Sequence, residues 1–198
     1  MASTTKKTKS DADARTRLME ATAHIMREEG YAAATSRRVA ARAGVRSALV
    51  YYYFPTMDDL FLAVLQEGSE ASLARMRQAI TADEPLRALW AINADPRWSG
   101  LYTEFMALGN HRKAINAELK SYADRVRDIE TAAATVALRA HGVDLDQFPP
   151  VAISMIITQM ARSLSNEKAI GWTGGHDELL HLVERYLAEL AATKPVAT

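Results

Sequence analysis

Between residues 30 and 60 the chain is cut into short pieces by residues whose backbone preferences leave little freedom: Gly30, Thr35, Gly44, Pro55 and Thr56. From Thr35 to Gly44 there is room for about two turns of helix. Thr35 can cap its start, and Gly44 can take the left-handed backbone that ends it. Val39 and Ala40 face inward from that segment. A turn of a few residues then leads to a predicted third helix over 46–53, closed by Pro55, because the residue before a proline is pushed out of the helical region. Two short helices at this spacing, with Val39, Ala40, Val45 and Val50 as small apolar contacts between them, form a helix-turn-helix. Ahead of them, Leu18, Ala21, Ile25 and Met26 recur at helical spacing after Asp11 and Asp13, and Gly30 supplies the stop.

The same periodicity runs through the rest of the chain. Thr56-Met57-Asp58-Asp59 places a hydroxyl cap three residues ahead of a carboxylate and opens a long helix through Leu60, Val64 and Leu65 towards Ile80. Breaks at Asp83-Glu84-Pro85, Asp95-Pro96 and Gly109-Asn110 delimit two shorter helices, and a long one follows from about Arg112 to His141. After a loop over 142–150 come an apolar helix carrying Val151, Met155, Ile156, Met160 and Leu164, and a turn at Gly171 to Gly175. In the last helix Leu179, Val183, Leu187 and Leu190 repeat at near-heptad spacing, a stripe that needs a partner. No strand alternation or internal repeat competes, so the expected fold is all-α, with about nine helices.

Charge divides the chain. Residues 1–56 hold ten Lys/Arg against five Asp/Glu, and residues 57–198 hold fourteen against nineteen, net charges of +5 and −5. A basic end on an acidic remainder suits a protein whose one end meets phosphates. Cysteine is absent, which excludes disulfide frameworks, thiolate zinc sites and cysteine nucleophiles. His176 and His181 are five apart, off the face a helical zinc pair uses. The Gly171-to-Gly175 segment lacks the strand and lysine of a phosphate loop. The reading is of a non-enzyme with no metal and no cofactor. Residues 1–14 are polar and precede no apolar segment of secretory type, and no apolar run approaches the roughly 20 residues of a membrane span. They read as a flexible arm on a cytoplasmic protein.

From Gly30 to Leu60 the sequence closely resembles the TetR family of transcriptional regulators. The matching pieces are Gly30-Tyr31, Thr35 with Val39-Ala40, Ala43-Gly44-Val45, the Tyr51-to-Phe54 block and Asp59-Leu60, with a weaker continuation in Glu104-Phe105-Met106-Ala107-Leu108. The resemblance implies a DNA-binding domain over 15–60 and a ligand-binding and dimerisation domain over 61–198. It also implies a homodimer on a palindromic operator, released as a repressor by a small, hydrophobic effector. Arg46, Ser47, Ala48 and Tyr51 then approach base edges, with Arg37 beside them, while Thr35, Ser36, Tyr52 and Tyr53 meet the backbone. Core packing is the competing role for Tyr51 and Tyr53, and a solvated face for Arg38 and Arg42. Arg46, Ala48 and Met57 stand where the family commonly has serine, glycine and a phosphate-contacting lysine.

In the second part, Trp90, Trp98, Tyr102, Phe105, Met106 and Met155 are candidate cavity walls, with Glu104 and Gln159 as polar anchors. Val151, Met155, Leu179, Val183, Leu187 and Leu190 are candidates for the dimer interface, with ordinary intrachain core as the alternative for part of each stripe. A helical protein-interaction module without specific DNA binding is the rival reading. It explains the terminal stripe and leaves the helix-turn-helix unexplained.

Overall fold

The computed structural model describes the backbone of residues 2–192 and the side chains of residues 13–189. Among these the chain forms nine α-helices and one 3-10 turn, with no strand. They are α1 (Ala2–Glu29), the turn Tyr31–Ala33, α2 (Ser36–Ala43), α3 (Ala48–Tyr53), α4 (Met57–Ala79), α5 (Pro85–Asn93), α6 (Pro96–Gly109), α7 (Lys113–Ala140), α8 (Pro150–Ala169) and α9 (His176–Ala192). The first helix extends back through the polar stretch that the sequence reads as an arm. Adding a residue to a helix already anchored by packed turns is far less costly than nucleating one.

The punctuation acts as its residue types require. Thr35 accepts a hydrogen bond from the Arg38 amide at 3.4 Å and caps α2. Gly44 is left-handed (φ 65°, ψ 36°) and the Val45 amide returns to the Ala40 carbonyl at 3.0 Å, a Schellman ending. Thr56 and Asp59 form a reciprocal capping box, with Thr56 N–H donating to Asp59 Oδ2 at 2.9 Å and Asp59 N–H to Thr56 Oγ1 at 3.1 Å. The regular part of α3 starts two residues later than the predicted 46–53. Leu49 and Val50 amides instead reach the Arg46 and Ser47 carbonyls at 2.9 and 3.1 Å, so the entry is a tightened turn.

The helices group into two compact units. The first comprises the chain up to Ser69 together with Leu101–Lys120, and the second Glu70–Gly100 together with residues from Ser121 onward. Within the first unit, Leu60, Phe61, Val64 and Leu65 of α4, Phe105 and Leu108 of α6 and Ile115 of α7 are buried along with Leu18, Ile25, Met26, Val39 and Val50. The Tyr31 amide donates to Glu104 Oε2 at 2.7 Å, and Arg112 pairs with Asp58 at 3.1 Å.

The second unit carries buried polar groups within an apolar core. Buried Ser72 and Trp98 both hydrogen-bond the hydroxyl of buried Tyr122, at 2.9 and 3.0 Å, and Ser99 meets Ser165 at 2.7 Å. Helix α8 turns Ser154, Thr158, Ala161 and Ser165 inward. Three of its large apolar residues, Val151, Met155 and Ile156, are exposed, while Ile153, Ile157, Met160 and Leu164 are half-buried. The most deeply buried positions are small and mostly hydroxyl-bearing, unlike those of an ordinary amphipathic helix.

Candidate nucleic-acid interface

The helix-turn-helix is built from the apolar inner faces of α2 and α3, where Val39, Ala40, Ala43 and Val50 are buried. Their packing leaves Thr35, Arg37, Arg46, Ser47, Ala48, Tyr51 and Tyr52 exposed, with Ser36 and Tyr53 half-buried. The two helices are joined at this surface: the Tyr51 hydroxyl donates to Ser36 Oγ at 3.2 Å. That bond holds a side chain of α3 beside the first turn of α2, the arrangement in which a recognition helix enters a groove while the preceding helix start meets a phosphate. Tyr52 is 72% exposed and stands edge-on to Tyr53, ring centroids 4.9 Å apart. Tyr53 therefore supports the ring that Tyr52 presents.

The arginines separate into two kinds. Arg38 donates twice to the Glu29 carboxylate, at 2.5 and 2.6 Å, fastening α2 to the end of α1. The same hydrogen bonds, helped by the positive charges of Arg38, Arg42 and His24, hold the Glu29 carboxyl below its ordinary value. Arg37 and Arg46 have no ion-pair partner among the described residues. Both remain available for a polyanion. Arg42 lines a surface cleft with Arg17, Glu20 and His24. This sorting was not legible in the sequence, because all four arginines occupy polar positions of the same short stretch.

The eight residues expected around a ligand are shared between the two units. Tyr102, Glu104, Phe105 and Met106 belong to the first unit, and Trp90, Trp98, Met155 and Gln159 to the second. Glu104 is spent on the Tyr31 amide, Phe105 is buried core, and Met106 is exposed. Trp98 donates to Tyr122 and packs edge-on to its ring at 5.8 Å. Met155 and Gln159 face outward on α8. The sequence pointed to bulky apolar residues. The buried polar groups of α7 and α8, Glu130 above all, gave no signal there, because a glutamate in a helix reads as a solvated position.

The interface candidates divide as well. Val151 and Met155 lie on the exposed apolar face of α8, whereas Leu179, Val183 and Leu187 are half-buried, and Leu187 lines a surface pocket with Leu86, Ala137 and His141 of its own unit. The Leu190 side chain lies outside the described residues. The exposed apolar residues of α9 are instead Leu180, Leu182 and Tyr186, flanking that inner stripe. Arg87 ties α9 to α5 by pairing with Glu84 at 2.6 Å and Glu184 at 2.5 Å.

Among the described residues no helix is long and apolar enough to cross a membrane, and no group of His and carboxylate side chains is placed to hold a metal ion. A helix-turn-helix with an open, partly cationic outer surface, within an all-helical chain, defines a transcriptional regulator. Residues 18–64 match the family described as bacterial regulatory proteins, tetR family. Solved structures share the fold along nearly the whole chain. A transcriptional regulator from Rhodococcus sp. Rha1 is 20% identical, with 93% of this chain and 99% of that one covered and a TM-score of 0.68. A TetR transcription regulator from Haloarcula marismortui gives 20%, 93%, 100% and 0.68 for the same measures. The fatty acid degradation regulator FadR from Bacillus halodurans gives 15%, 90%, 95% and 0.68. No curated protein sequence matches the chain. The family match thus lies in the helix-turn-helix region, and along the rest of the chain the likeness is one of fold.

Proposed function

We propose that the chain works as a homodimer that represses transcription from a palindromic operator and leaves it when a small effector binds. The DNA-reading part of this proposal rests chiefly on Arg37 and Arg46, exposed and without ion-pair partners beside the Ser36–Tyr51 hydrogen bond. Arg46 and Tyr51, with Ser47 and Ala48, take the base-facing role, because the first turns of a recognition helix approach base edges. Thr35, Ser36, Tyr52 and Tyr53 take the backbone role, with hydroxyls and a helix start directed at phosphate. Arg46 compensates for Met57, which offers no charge to a phosphate.

A second copy is the occupant proposed for the outer face of α8 and α9. Val151, Met155, Ile156, Leu182 and Tyr186 are all more than 40% exposed there, an apolar surface that a lone protomer leaves in water. Two reading heads on a two-fold axis match a palindrome. In this reading residues 15–60 are the reading head and residues 61–198 the sensing and pairing part. The effector site is placed in the second compact unit, whose buried polar groups lie within an apolar core.

The test is a titration of the full chain against DNA upstream of its own gene, with a scrambled duplex as control, at two salt concentrations. Specific, salt-sensitive binding by two protomers or more per site is the expected result. Binding no tighter than to the scrambled duplex, there and in a selection from random duplexes, overturns the regulator mechanism.

A further inference from the structure

Two stripes run along helix α8 at the same spacing, one residue apart. Ile153, Ile157, Met160 and Leu164 form an apolar stripe, and Ser154, Thr158, Ala161 and Ser165 a small, hydroxyl-rich one. One residue is about 100° of helix rotation, so a turn of that size would exchange them. Burial of apolar surface alone would place the first stripe innermost, since it carries far more of that surface. The structure does the opposite: the second stripe is buried and the first only half-buried. Something besides apolar burial therefore sets the rotation of α8.

Glu130 of α7 is placed to do so. It is 2% exposed, its Oε2 accepts from Thr158 Oγ1 at 2.7 Å, and its Oε1 accepts from Asn93 Nδ2 of α5 at 2.8 Å. One turn earlier on α7, Arg127 lies 3.7 Å from Oε2 and donates to Ser154 Oγ at 3.2 Å. Helix α7 thus grips two successive turns of the hydroxyl stripe. A buried carboxylate is a poor device for stability, because desolvating the charge offsets what its bonds contribute. Its partners also have alternatives. Asn93 Nδ2 already donates to the Leu89 carbonyl at 3.0 Å, and the Arg127 side chain is 29% exposed. A helical threonine can donate to the carbonyl four residues earlier, as Thr22 and Thr135 do at 2.8 and 2.7 Å. None of these alternatives would favour one face of α8 over the other.

We infer that Glu130 is a positioning residue. Through Thr158, and with Arg127 through Ser154, it selects the rotation of α8 that keeps the hydroxyl stripe inside, over the rotation about 100° away that buries Ile153 and Ile157. The same choice leaves Met155 and Ile156 outside. Glu130 therefore sets, from within the protomer, the face proposed above to meet a second copy. The positioning stands on the protomer alone, and only its consequence for pairing rests on that reading.

The chain has no cysteine, so a single introduced one reports its own position. The experiment places Cys at Ala161, which is fully buried, or at Ile157, which is half-buried, and measures maleimide labelling of the full chain at several protein concentrations. With Glu130 present, position 161 is expected to label about tenfold or more slower than 157. In Glu130→Leu, position 161 should speed up and 157 slow down, so that the ratio closes or inverts, while the thermal midpoint stays within a few degrees. Thr158→Val should shift the ratio the same way, and Thr158→Ser, which keeps the hydroxyl, should not. Should Glu130→Leu not fold, Ser154→Ala combined with Thr158→Val must move the two positions in opposite directions. An unchanged ratio overturns the inference, and so does faster labelling at both positions, which is loosening and not rotation. Sedimentation of Glu130→Leu should show self-association weakened about tenfold or more. A shifted ratio in a chain that is monomeric with and without Glu130 keeps the positioning of α8 and removes only the second-copy reading.

Discussion

Helix α2 turns Val39, Ala40 and Ala43 inward and leaves Arg37, Arg38 and Arg42 in solvent, whereas α8 turns Ser154, Thr158 and Ser165 inward and leaves Val151, Met155 and Ile156 outside. Both are amphipathic, and the same rule of apolar burial acts on both. In α2 the apolar face meets residues of its own chain, so the protomer satisfies it. In α8 three apolar side chains remain about half exposed among the described residues, and the buried face is hydroxyl-rich and hydrogen-bonded to Glu130, Arg127 and Ser99. The first pattern belongs to a segment that folds against itself. The second fits the proposal that a second copy covers this face.

The sharpest way to break this contrast is to charge the outer face of α8. Met155→Glu combined with Ile156→Glu should leave each protomer folded, because both side chains are about half exposed. If the proposed dimer forms through this face, the double variant should be monomeric and bind the operator at least about a hundredfold more weakly, since each half-site is then read alone. Sedimentation and DNA titration measure the two effects, and an intact dimer would show that the face has another purpose.

On the DNA side, Arg46→Ala should lower operator affinity by about 1–3 kcal/mol and reduce the salt slope, whereas Arg38→Ala, whose side chain is already engaged by Glu29, should cost less affinity. Equal losses from the two, across a salt series, would remove the distinction between free and engaged arginines. Next in size is Gly44→Ala. No atom lies within 4 Å of the added methyl, so the cost is that of the left-handed backbone alone, about 1–2 kcal/mol in unfolding free energy. A smaller loss by denaturant titration would mean that the turn relaxes to another shape.

The smallest effect is a pH dependence. Arg38 depresses the Glu29 carboxyl below its ordinary value of 4.5, so the pair contributes stability that is fully present above that pH and is lost as pH falls through the lowered value of the folded chain. Arg38→Ala should remove this contribution, and Glu29→Gln should match it. An acid limb of the unfolding curve identical in wild type and both variants would show that the ion pair is too well solvated to matter.

How much was legible follows the same division. Thr35, Gly44, Pro55 and the Thr56–Asp59 box announced their structures because each acts through its own backbone or one three residues away. The sequence could also identify Val39, Val50 and the DNA-facing candidates around them, since helical periodicity sorts inner from outer positions wherever the partner is a neighbouring segment. It could not sort Arg37 from Arg38, because the Glu29 that engages Arg38 is nine residues away and reaches it only through the turn at Gly30.

In the second unit local rules were insufficient. The near-heptad stripe Leu179, Val183, Leu187 was visible, but which side of α9 faces its own chain was not. The half-buried side is that stripe, and Leu182 and Tyr186 are left outside. Glu104 and Glu130 are both helical glutamates, yet one accepts from the Tyr31 amide and the other is buried against Asn93 and Thr158. What the sequence determined by itself was therefore helix content, helix ends and the helix-turn-helix, all set by interactions a few residues apart. Which glutamate is buried, which face of α8 is outermost and which arginine is left unpaired were decided only in the tertiary structure, because each depends on side chains that lie far apart along the chain and meet only when the helices pack.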